Sequence, residues 1–304
     1  MQVRTLKTLI FVGLAFGLSW TVAGLFVLIG GQWATPDSIP MALLYMFMPA
    51  LAAVLVKGPI CREPLSELGV SLRLNRWYLV AWLLAPLAAF AATGVSLAFP
   101  EVSFVTDLSG IHERMERVLS PAALAEGRTS STDLPLHPFW LGLIQGLLAG
   151  PTLNAVAGFG EELGWRGFLD RELSDLGFWR SSWLIGAIWG LWHAPLILFG
   201  HNYPEHPEAG VVMMVVFCLL WSPLFSYVRK KAASVVAAAV LHGSINATAG
   251  VALMPLRGGS DLIVGATGLA GLIVLAALNI GLYALLKRQQ HGPPRPAPIL
   301  QGRI

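Results

Sequence analysis

Eight apolar runs, each close to the length of a bilayer crossing, divide this 304-residue chain. They lie at about residues 8–30, 40–57, 78–99, 138–158, 182–200, 210–228, 232–254 and 262–286. A helix of about 20 apolar residues crosses the hydrocarbon core. In lipid every backbone N–H and C=O must be satisfied internally, which leaves helices or a closed barrel. These runs are too long for barrel strands, so the pattern predicts an all-α fold, a polytopic membrane bundle of about eight transmembrane helices. Charge supports it: only 12% of residues are charged, about half the share in soluble domains. The net charge of +3 follows topology and forms no patch, so no nucleic-acid partner is expected. Cys61 and Cys218 fall in a loop and in a span, a placement that predicts neither a disulfide nor a metal motif.

The basic residues assign the two ends of the bundle. With the N-terminus in the cytoplasm, sixteen of the 20 Lys and Arg fall in inner segments, and only Arg114, Arg117, Arg128 and Arg257 in outer ones. Lys/Arg bias of this kind sets orientation, and it predicts an even number of spans with both termini cytoplasmic. The basic start followed by an apolar run also fits a secretory signal, but residues 8–30 are long enough to span and are read as a first helix. Residues 1–290 then form one integral membrane domain, and the Pro-rich tail 291–304 is expected to be a disordered cytoplasmic extension. In the long outer segment 100–137, Ile111, Met115, Val118 and Leu119 recur at helical spacing, as in a helix on the membrane surface. No internal repeat suggests a transporter built from two halves.

Against this apolar background, Glu161-Glu162-Leu163-Gly164-Trp165-Arg166 stands out. Ionisable groups at membrane depth are costly and mark functional sites by default. Glu162 and Arg166 are four apart on a helix and can form an ion pair. Glu161, rotated by about 100°, is expected to face elsewhere and remain free to exchange a proton. The other reading is a salt-bridged helix end at the interface. Two histidines sit in separate later runs. Trp189 is one turn before His193 and could wall its pocket, with Pro195 just beyond. Asn246 is four residues after His242 and shares its face. A lone histidine in a span is often a polar link between helices; a histidine and asparagine aimed at one point fit a paired donor site. Counted from the inner ends of their spans, the two histidines lie at nearly the same depth, roughly 15 Å in. Glu161 counts nearer the cytoplasmic surface, unless its helix starts lower than drawn or continues past Arg166 as one long tilted rod; a bend at Gly158 and Gly160 is the third way to reconcile the depths.

If these groups converge, two mechanisms fit. In the first, Glu161 is a general base that activates water with help from His193, while His242 and Asn246 donate to a tetrahedral oxyanion. In the second, Glu161, His193 and His242 hold a zinc ion that activates the water. No His-Glu-x-x-His motif occurs, and the metal-free version, with no cofactor, is preferred.

These motifs in this order resemble the CPBP family, the CAAX-processing and bacteriocin-processing endopeptidases also called Abi proteins. The family pattern is Glu-Glu-x-x-x-Arg, then an aromatic-x-x-x-His, then His-x-x-x-Asn. Here it reads Glu161-Glu162…Arg166, Trp189…His193 and His242…Asn246, within a core of about 138–250. The first aromatic is usually Phe, so Trp189 is a mild departure. The resemblance implies an Rce1-like intramembrane endopeptidase, an eight-helix bundle with its cavity open to the cytoplasmic side. It also implies Glu161 as base, His193 as its partner, His242 and Asn246 as oxyanion site, and Glu162, Arg166 and Trp189 in support. The expected partners are membrane lipids and a membrane-anchored peptide or protein, CAAX-type or bacteriocin-like. The expected location is an integral membrane one, the cytoplasmic (inner) membrane in a prokaryote. A non-catalytic scaffold or self-immunity protein on the same fold, or a transporter relaying protons through Glu161, His193 and His242, are the rival readings.

Overall fold

The computed structural model describes residues 2–33, 37–118 and 136–291. It is a helix bundle whose only strands among the described residues are a two-residue antiparallel pair, β1 (Ser103–Phe104) with β2 (Leu256–Arg257). The long helices are α1 (Gln2–Leu28), α2 (Ser38–Leu55), α3 (Arg76–Ser96), α9 (Pro207–Ala232), α10 (Val235–Thr248) and α11 (Leu269–His291). Between them lie α4 (Ser109–Val118), α5 (Pro138–Ala149), α6 (Leu153–Glu162), α7 (Phe178–Trp192) and α8 (Ala194–Leu198).

Among the described residues, six helical segments are long and apolar enough to cross a membrane, and α5 with α6 makes a seventh if that bent pair is one span. The expected run at 182–200 is a broken helix. Alpha7 stops at Trp192 and α8 starts at Ala194, with Pro195 in its first turn. Proline has no N–H to donate back, and its ring collides with the preceding turn.

The bend needed to bring Glu161 to the right depth is present, but not at Gly158 or Gly160. It falls between Ala149 and Leu153, where the axis turns by 52° at Gly150-Pro151-Thr152. Below it the chain continues past Arg166 through a π-helical stretch, Leu163–Leu169, to Glu172. Alpha10 fills the bend. A Cβ on Gly243 would lie 2.3 Å from both the Ala155 nitrogen and the Gly150 carbonyl oxygen, so only glycine lets the helices meet this closely. Gly158 does the same one turn further on, where a Cβ would lie 2.9 Å from the His242 Cβ. Small residues at helix contacts are how membrane bundles pack without a hydrophobic driving force.

Alpha10 is the central element. Two thirds of its span is buried (67%), against 28% for α1 and 22% for α11, whose apolar residues face outward as lipid-facing helices do. Even so, α1 is part of the bundle: Phe11, Ala15 and Ser19 are fully buried, and the Trp20 indole donates to the Trp192 carbonyl.

The two ends differ in charge. At one end Lys57, only 1% exposed, bonds Glu63 at 2.8 Å and Glu67 at 2.7 Å, and Glu63 also pairs with Lys7. Arg171 joins through Glu67, and Arg4 pairs with Asp175. At the other end α4 ties the remaining loops together. Arg114 donates to the Gly258 carbonyl at 2.6 Å, Arg117 pairs with Glu205, and His206 meets Asp261 at 2.7 Å. The helix expected around Ile111–Val118 is therefore present as a loop clamp; Leu119, Arg128 and the tail 292–304 lie outside the described residues.

Candidate active site

Four elements bring the singled-out residues together. Glu161 and Glu162 end α6, Trp189 lies on α7, His193 sits at the break between α7 and α8, and His242 and Asn246 lie one turn apart on α10. Glu161, Trp189, His193, His242 and Asn246 all line one cavity of about 440 Å³. Glu162 and Arg166 lie beneath it, both at 0% exposure.

Glu162 is held from two sides. The Arg166 guanidinium donates to its Oε1 at 3.1 Å, the expected i,i+4 ion pair. The same oxygen accepts from His242 Nδ1 at 2.8 Å. Arg166 is clamped in turn between aromatic faces, 4.6 Å from the Trp189 ring centroid and 4.3 Å from that of Phe225. Cation–π contacts of this kind gain strength when desolvated. Phe225 also stands edge-on to His242, with ring centroids 5.9 Å apart. Nothing in the sequence motifs pointed to Phe225, since an aromatic in an apolar helix is an ordinary core residue.

Glu161 faces the cavity, which Glu162 does not line, yet the two are linked through one side chain. Both carboxylates reach the same imidazole: Glu161 Oε1 is 3.7 Å from His242 Nε2, while Glu162 takes Nδ1. Both glutamates are still in the α-helix, which gives way to the π-helical stretch only at Leu163, so the regular step separates them and the His242 ring spans the gap with its two nitrogens. Glu161 also accepts a hydrogen bond of 2.7 Å from the Trp189 indole N–H. Trp189 is therefore a donor to Glu161 as well as a wall, a role that phenylalanine lacks.

The histidine tautomers follow from these partners. A carbonyl can only accept, so the 2.9 Å contact between His193 Nδ1 and the Trp189 carbonyl places the proton on Nδ1 and leaves Nε2 as the acceptor. His242 donates from Nδ1 to Glu162, which leaves its Nε2 toward Glu161. No direct bond joins Glu161 to His193; they share the cavity and are bridged by Trp189.

The zinc set proposed from the sequence is not gathered as ligands. Among the described residues no three His, Cys, Asp or Glu side chains are placed to hold a metal ion.

A buried carboxylate beside an imidazole, a second carboxylate orienting that imidazole, and an amide one turn away form the kind of constellation that performs proton transfer on a bound substrate. With the bundle of spans, this defines an integral membrane protein with an enclosed polar site. Residues 138–248 match the family model described as Type II CAAX prenyl endopeptidase Rce1-like, and an Rce1-like domain therefore occupies that stretch. The match implies a protease, and it contains every residue of the site named above. No curated protein matches the chain.

Proposed function

We propose that the chain is an intramembrane endopeptidase that hydrolyses peptide bonds of membrane-associated proteins or peptides by glutamate-activated water. The observation that carries this reading is the convergence of Glu161, His193, His242 and Asn246 on one cavity from three separate helical segments of the bundle. Glu161 is the general base. Its Oε2 is fixed by Trp189, leaving Oε1 on the side of His242. His193, with its acceptor Nε2, is the partner that helps hold the water. A proton on His242 Nε2 makes that nitrogen a donor, and with the Asn246 amide it stabilises the oxyanion of the tetrahedral intermediate. Glu162 fixes the His242 ring, as the carboxylate of a catalytic triad fixes its histidine, and Arg166 holds Glu162 in place. The water proton taken by Glu161 is then delivered to the leaving amine. The substrate class that best fits the family match is a CAAX-type or similarly membrane-anchored chain.

The test is cleavage of a membrane-anchored peptide library by purified wild type and Glu161→Gln, read by mass spectrometry. Glutamine keeps the size and can accept from Trp189 but cannot act as a base. Removal of a general base costs about 10²–10⁴-fold in rate, so a loss of at least that order is expected. Equal cleavage by both proteins refutes the assignment of Glu161. Cleavage by neither, with biological activity intact in both, favours a scaffold on the same fold.

A further inference from the structure

A second set of polar side chains lines the same cavity, and the mechanism proposed above does not use it: Trp33, His201, Asn202 and Thr267. Local contacts hold them near one another. The His201 imidazole stands edge-on to the Trp33 indole, with ring centroids 4.9 Å apart. Asn202 follows in the left-handed region (φ 61°), which asparagine tolerates better than most residues. The next residue, Tyr203, is fully buried and donates to the Thr267 carbonyl at 2.8 Å. The short helix α8 carries the chain from His193 to this set, and the His201 N–H donates back to the Leu196 carbonyl at 3.0 Å. One helical turn and a half of chain separates the two imidazoles by on the order of 10 Å.

The two polar sets differ in what their atoms are bonded to. Around Glu161 they are spent on protein partners: the Trp189 N–H on Glu161, His193 Nδ1 on a carbonyl, His242 Nδ1 on Glu162. In the second set the Trp33 N–H, the His201 ring nitrogens, the Asn202 amide and the Thr267 hydroxyl bond no other described residue. A few unspent donors and acceptors on an otherwise apolar wall, here Leu196, Met214 and Phe217, are what orients a ligand in a cavity. The charge of that ligand follows from the lining. Among the described residues, no Lys, Arg or Asp lines the cavity, and no Glu other than Glu161. Burial holds the His201 imidazole down at about 4, so it is neutral at pH 7. A carboxylate or ammonium group here is desolvated with no opposite charge, and charging His201 to meet a carboxylate forfeits roughly a thousandfold at neutral pH. An uncharged amide or hydroxyl meets both donors and acceptors.

We propose that His201, with Trp33, Asn202 and Thr267, forms a specificity subsite that hydrogen-bonds an uncharged polar side chain (Ser, Thr, Asn or Gln) of the bound peptide. That the occupant is a peptide rests on the endopeptidase reading above. An extended chain advances about 3.3 Å per residue, so the recognised side chain lies roughly three residues from the bond held beside His193.

The test separates binding from cleavage. Full-length Glu161→Gln, immobilised in lipid nanodiscs, captures peptides from a membrane-anchored library randomised along its length, and the bound fraction is sequenced by mass spectrometry. The expected result is enrichment of Ser, Thr, Asn or Gln at one position by roughly three- to tenfold, the order given by one net hydrogen bond. The enrichment should vanish when His201→Phe, which keeps a ring against Trp33, is added to Glu161→Gln. Thr267→Val added instead keeps the side-chain shape and the carbonyl that holds Tyr203; it should lower the enrichment by about twofold or more, and it serves if the phenylalanine variant does not fold. No enrichment at any position, enrichment of acidic, basic or apolar residues in place of uncharged polar ones, or enrichment that a folded double variant retains in full overturns the proposal. Wild-type protein is then given the captured peptides. Enrichment without cleavage removes the endopeptidase reading and leaves the subsite standing; cleavage without enrichment does the reverse.

Discussion

The buried pair Glu162–Arg166 gives an asymmetric prediction. Both side chains are fully buried, and at 3.1 Å their attraction is about 5 kcal/mol at an effective dielectric near 20. Breaking a buried pair by removing one partner costs about 3–5 kcal/mol, because the other charge is left uncompensated. The two halves do not lose equally. Arg166→Met leaves Glu162 with its 2.8 Å bond from His242. Glu162→Gln leaves the guanidinium with only an amide oxygen and the faces of Trp189 and Phe225. In a membrane the unfolded chain also finds polar partners, which lowers the measured values. We expect about 3 kcal/mol for Glu162→Gln and about 2 kcal/mol for Arg166→Met, with the double variant at least about 1 kcal/mol less costly than their sum. The assay is reversible unfolding in mixed micelles at rising denaturing-detergent fraction, followed by fluorescence of the 11 tryptophans. Costs below about 1 kcal/mol for both singles, or strict additivity, refute the view that this pair holds the floor of the site.

Three further outcomes follow from named contacts. Trp189→Phe keeps the ring but removes the donor to Glu161; hydrogen bonds to charged groups contribute about 1.5–3 kcal/mol, so kcat should fall roughly tenfold or more with KM little changed, and an unchanged kcat would show that the indole N–H is idle. Gly243→Ala forces a Cβ against backbone atoms of the α5–α6 bend and should cost about 1–3 kcal/mol or more and displace His242, whereas Gly94→Ala, with open space around it, should leave thermal stability in detergent unchanged. Lys57 and Lys7 hydrogen-bond Glu63 and hold its carboxyl down at about 2. A carboxylate depressed in the folded state stabilises above its unfolded value and loses that contribution as pH falls from about 4.5 toward 2; with the side chain 29% exposed, the loss should be of order 1 kcal/mol, and Glu63→Gln should flatten it.

How much was legible depended on the range of the interaction. Spans were legible because crossing a bilayer imposes a length and a composition on each segment separately. The Glu162–Arg166 pair was legible for the same reason, being set by helical spacing alone. A bend of the site helix at Gly158 and Gly160 was one of the alternatives the sequence allowed, because glycine is a flexible residue. The bend lies at Gly150-Pro151-Thr152, where proline removes a backbone donor, and Gly158 serves instead to let α10 approach. Likewise Pro195 was noted, yet the run at 182–200 was read through it as one span. In both cases a missing N–H decided the local structure and hydrophobicity did not.

What stayed hidden were contacts between elements distant in sequence. That one imidazole reaches both carboxylates depends on the closeness of α10, which Gly158 permits. Trp189 read as a wall because its polar tip gives no sign of its target until Glu161 is beside it. The packing beneath the site was hidden for a related reason: Arg166, Trp165 and Phe168 are buried, and how deeply a helix residue is buried is set by neighbours that its own segment does not contain.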